Sequence, residues 1–69
     1  MTHIFLGELL DTSELGQVAD LLQYNKNAEL KAYLNEPNRR LRLIGKGIEA
    51  DCLYYQLLHE KNRFLAKNN

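Results

Sequence analysis

Pro37-Asn38-Arg39-Arg40-Leu41-Arg42-Leu43-Ile44-Gly45-Lys46-Gly47-Ile48-Glu49-Ala50-Asp51-Cys52-Leu53-Tyr54-Tyr55 opens the stretch on which the fold turns. From there to Ala66, Leu41, Ile44, Ile48, Cys52, Tyr55, Leu58 and Leu65 recur near heptad spacing, as in a helix with one apolar seam. Pro37 suits a first helical turn, because it lacks an N–H that this turn leaves unbonded and its φ is already helical. Glu36 at the start and Lys61, Arg63 and Lys67 at the end complement the helix macrodipole. An unbroken helix over 37–66 would be roughly 43 Å long at about 1.5 Å per residue. A compact chain of this size has a radius of gyration of roughly 11 Å and spans under about 30 Å. Two outcomes reconcile these lengths. Either the helix breaks at Gly45-Lys46-Gly47, where each glycine costs about 1 kcal/mol relative to alanine, or it overhangs its own domain and is covered by a second copy.

Upstream, Asp11-Thr12-Ser13-Glu14 supplies N-cap residues and an acidic first turn, and Leu15, Val18, Leu21, Leu22 and Asn25 follow at helical spacing, predicting a helix over 13–25. Asn25-Lys26-Asn27 reads as a turn. A short helix over 28–35 then carries Leu30, Tyr33 and Leu34, and must end before Pro37, which drives Glu36 out of the α region. Residues 1–12 form an N-terminal segment in which Thr2 to Leu6 reads as a helical turn in preference to a lone strand, and residues 67–69 read as a frayed tail. Leucine occurs 14 times, whereas Val, Ile and Thr together occur six times, so the apolar residues are helix formers. The expected fold is therefore all-α: one domain, a small bundle of about three helices, the third long or kinked at Gly45–Gly47.

With 69 residues, the chain falls in the size range where a core alone seldom contributes more than about 3 to 5 kcal/mol. Its single cysteine closes no internal disulfide, and with two histidines it makes no structural zinc site, so no metal or cofactor is expected. Self-association is the remaining staple, and a homodimer through Ile44, Ile48, Asp51, Cys52, Tyr55 and Leu58 is expected. No Lys or Arg precedes the short apolar run at the N-terminus, which argues against a signal peptide, and the lone thiol favours a reducing, cytoplasmic setting.

The formal net charge is zero, yet it resolves into −3 over residues 1–35 and +3 over residues 36–69. Arg39, Arg40, Arg42 and Lys46 fall in a stretch without an acid, which with Tyr54 makes the expected docking surface for a partner protein. Nucleic acid is the alternative ligand of that cluster, weakened because four charges release few counterions. Asp51, beside the seam, is expected either at an exposed rim or accepting a bond from another helix or subunit, with the three arginines as donors. Tyr54 and Tyr55 are about 100° apart on a helix, so one belongs to the core and the other to a rim. Cys52, at an apolar seam position, is expected in the core. Cys52 and His59 stand about 10.5 Å apart along a helix, too far for a nucleophile and its base, so no enzyme is expected. The functional expectation is a non-catalytic adaptor or regulator that binds another protein.

Overall fold

The computed structural model describes residues 6–68. Six helices run in order: α1 (Leu6–Leu9), α2 (Thr12–Gln23), α3 (Asn27–Leu34), α4 (Pro37–Gly45), α5 (Ala50–His59) and α6 (Lys61–Asn68). Among the described residues there is no strand, so the all-α expectation holds, but the count of three helices does not. The segment 37–66 is three helices, broken at Lys46–Glu49 and again at Glu60. The folded chain measures 28 × 27 × 20 Å, with a radius of gyration of 11.0 Å. Among the described residues no helix overhangs the domain as the unbroken rod over 37–66 would have done. Helix continues through Asn68, past the expected start of the frayed tail. The expected turn over Thr2–Leu6 lies outside the described residues except at Leu6.

Each boundary has a local cause. At the start of α2, the Asp11 carboxylate accepts the Glu14 N–H at 2.8 Å while the Glu14 carboxylate accepts the Asp11 N–H at 3.0 Å, a reciprocal capping box. Its end is a Schellman turn: Asn25 takes φ +57°, the Lys26 N–H donates to the Leu21 carbonyl and the Asn25 N–H to that of Leu22. Helix α3 stops at Asn35, two residues before Pro37. Helix α4 has Pro37 in its first turn and Glu36 as N-cap, whose carboxylate accepts the Asn38 and Arg39 N–H groups.

The glycine break is a second Schellman turn. Gly47 takes φ +80°, its N–H donates to the Ile44 carbonyl, and the Ile48 N–H donates to the Leu43 carbonyl. Gly47 is therefore required by its backbone, whereas Gly45 lies inside α4 with open space where a Cβ would stand. Opposite effects follow. Gly47→Ala should destabilise by about 1 kcal/mol, since it forces a Cβ into the left-handed region, and Gly45→Ala should stabilise by up to about 1 kcal/mol through helix propensity. Urea midpoints at unchanged slope measure both.

The core comprises Leu9, Leu10, Val18, Leu22, Leu30, Leu34, Leu43, Ala50, Leu53, Tyr54, Leu57 and Phe64. From α4 it takes Leu43 alone; from α5 it takes Ala50, Leu53, Tyr54 and Leu57. The heptad seam drawn through Leu41, Ile44, Ile48, Cys52, Tyr55, Leu58 and Leu65 is therefore not one inner face: Leu41, Ile44, Cys52 and Tyr55 are exposed, whereas Ile48, Leu58 and Leu65 are partly buried against the core. A seam read across the glycines assumes one helical phase, and the Schellman turn resets that phase. Helix α3 runs antiparallel to α5, with Asn35 opposite Asp51 and Lys31 opposite Tyr54 and Tyr55.

Candidate functional site

Glu14 is the one charged residue buried among the described residues, at 9% exposure. Its position at the third residue of α2 points the carboxylate at α4, where Arg39 and Arg42 stand three apart on one helix face. Arg39 donates from Nε to Glu14 Oε2 at 2.9 Å, and Arg42 donates from Nη2 to both carboxylate oxygens at 2.6 Å. Arg39 is further committed: its Nη1 donates to the Tyr33 carbonyl at 2.6 Å, and its guanidinium stacks on the Tyr33 ring at 3.8 Å from the centroid. Burial raises the Glu14 pKa. The Arg42 hydrogen bond, the Asp11 N–H, the Arg39 hydrogen bond and the Arg42 charge outweigh that, leaving it lowered from 4.5 to about 2.

The expected docking cluster is thereby divided. Arg39 is half-buried and Arg42, although exposed, points its guanidinium inward at Glu14, while Arg40 and Lys46 are exposed. The acidic and basic halves of the sequence meet at this point within one chain, so part of their charge complementarity is satisfied internally. Glu36 adds an exposed carboxylate 3.8 Å from Arg39 Nη1, held below the usual carboxylate range by the N–H groups of Arg39 and Asn38.

Other expected site residues separate by burial. Tyr54, assigned to the docking surface, is in the core at 8% exposure, while Tyr55 is 58% exposed and meets it edge-on with centroids 5.0 Å apart. Inward-facing Ala50, Leu53 and Leu57 set the orientation of α5 and bring Tyr54 with them. Cys52, expected in the core, is exposed for the same reason. Asp51 does accept from another helix, but the donor is Asn35 Nδ2 of the same chain at 2.8 Å, not an arginine. Ile48 and Leu58 are half-buried against the core, and Ile44 is 54% exposed.

What remains outward on α4 is a strip of Leu41, 63% exposed, and Ile44 one turn on, with Arg40 exposed on the same helix and Lys46 exposed at its C-cap. Leu41 was expected on the apolar seam and not at the surface, and Glu14 was expected only as part of a helix cap and not as the centre of an ion-pair cluster. The acidic first turn at Glu14 was visible, but its partners are 25 and 28 residues away. A shallow hollow of about 400 Å³ at the α5–α6 break is walled by residues 58–63 alone. There Lys61 Nζ donates to Asn25 Oδ1 at 2.6 Å, tying the break to the turn after α2. Among the described residues no three His, Cys, Asp or Glu side chains converge as metal ligands. No helix among them is long and apolar enough to cross a membrane.

Comparisons of the chain with protein-family models, with curated proteins and with solved structures found no match. The class of protein is thus set by the fold alone: a small all-α bundle stapled by an internal arginine–glutamate cluster.

Proposed function

We propose that this chain is a non-catalytic protein-interaction module, an adaptor or regulator that docks the outer face of α4 onto an acidic, partly apolar surface of a partner protein. The observation that carries the reading is the inversion of α4: Leu41 and Ile44 face outward and only Leu43 faces the core. Two large apolar side chains one turn apart, with exposed Arg40 on the same helix and exposed Lys46 at its C-terminal end, supply an apolar centre and nearby basic charge. Such a surface gains affinity from the apolar anchors and encounter rate and specificity from the charges. The absence of any acid between Pro37 and Ile48 favours an acidic counterpart. A reducing, cytoplasmic setting belongs to this reading, because Cys52 is exposed and unpaired.

Homodimerisation is the second reading, favoured by the exposure of Ile44 and Tyr55 within the line Ile44, Ile48, Asp51, Cys52, Tyr55 and Leu58. Nucleic-acid binding has less support, since Glu14 already neutralises part of the cluster through Arg39 and Arg42. The test compares the chain with a Leu41→Glu, Ile44→Glu variant, in which both changes are at exposed positions and melting should be nearly unchanged. Affinity capture is expected to lose a partner in the variant, and equal capture by both would end the proposal. Light scattering gives the second reading its own answer: a mass of about twice the chain, halved in the variant, would make the second copy the occupant.

A further inference from the structure

We propose that α4 is a latch: Pro37–Gly45 opens as a unit while α2, α3, α5 and α6 stay folded, and the Glu14 carboxylate sets how often it opens. Three independent observations converge on this segment. Its anchorage is thin, since α4 sends one side chain into the core where α5 sends four. Helix stops bound it on both sides, Pro37 in its first turn and the positive-φ Gly47 just past its C-cap, so its helical hydrogen-bond ladder is separate from those of α3 and α5. Its remaining hold is polar: Arg39 and Arg42 both reach Glu14 across the gap to α2, and Arg39 alone adds the Tyr33 carbonyl and ring of α3, so Glu14 is the one acceptor the two arginines share.

Regions with few buried apolar contacts open locally at lower free energy than the core. A detached nine-residue helix does not persist in water, so opening melts α4 instead of swinging it out whole. The consequence concerns the cations. Closed, α4 presents Arg40 and Lys46 while Arg39 and Arg42 are held on Glu14; open, all four stand on one flexible basic segment. Glu14 thereby acts as an internal competitor for any acidic surface that would engage Arg39 and Arg42. The proposal concerns the isolated chain and stands whether or not the outer face of α4 is a docking surface.

Native-state hydrogen exchange of the full chain in sub-denaturing urea tests it. Amides of Leu41 to Gly45 are expected to exchange at least about tenfold faster than those of Leu34 and Leu57, with a shallower urea dependence, as local opening exposes less surface than global unfolding. In Glu14→Gln their exchange should quicken by a further tenfold or more, while the difference in urea slope is retained. Arg42→Gln, at a more exposed position, provides the same comparison if Glu14→Gln unfolds. A single shared rate and slope for α3, α4 and α5 amides would overturn the latch. So would α4 amides that respond to these substitutions no more than those of α5.

Discussion

Glu14→Gln is expected to destabilise the fold by about 2 kcal/mol at neutral pH, lowering the melting temperature by roughly 8 to 16 °C for a domain of this size. Glutamine keeps the shape and can still accept the Asp11 N–H, so the cap survives and the loss isolates the charge. What is lost is the counterion of two guanidiniums. Removing one partner of a fully buried ion pair costs about 3 to 5 kcal/mol, and the smaller figure reflects the partial exposure of Arg42.

The pH dependence carries the same signature. In the folded chain the Glu14 pKa lies at about 2, below the value of 4.5 for a free carboxyl. Its contribution is therefore complete above pH 4.5 and is lost as pH falls through 2, since the unfolded chain takes up the proton first. The difference in melting temperature between the native chain and Glu14→Gln should be constant near neutrality and shrink steadily below about pH 4.5. A difference that stayed the same down to pH 2.5 would remove Glu14 from the stabilising cluster.

Tyr54→Ala should have the largest effect of any single truncation considered, about 3 to 5 kcal/mol, comparable to the whole stability available to so small a core. The variant is expected to lose most of its helical circular dichroism at 25 °C. Tyr55→Ala, one residue on, should cost under about 1 kcal/mol, because it removes only a 58%-exposed ring, its edge contact with Tyr54 and a Lys31 ammonium 5.7 Å from its centroid. The pair reports the phase of α5 directly. Equal losses at the two positions would mean that α5 is rotated about its axis from the orientation described.

Much of the fold was legible in local chemistry. The leucine-rich composition, the cap before α2, the Asn25 turn and Pro37 each act within a few residues, so helix class and the first boundaries followed from sequence. The mismatch between a 43 Å rod and a compact chain also required a decision at Gly45–Gly47, and Gly47 made it. The second break, at Glu60, had no such sign. No glycine or proline stands there; past it α6 packs against α2, with Phe64 buried in the shared core, a contact that no local sequence signal announces.

By itself, then, the sequence determined an all-α chain, its early helix limits and the tyrosine split into one core and one rim residue, because propensity, capping and helical phase are short-range. Tertiary structure alone decided which tyrosine is which, which face of α4 is inward, and that Glu14 gathers Arg39 and Arg42. The reason is physical: by local propensity the leucines, the isoleucine and the arginines of α4 were equally able to face inward, and only packing against α5 and the bonds to Glu14 of α2, contacts distant in sequence, made one side the inside.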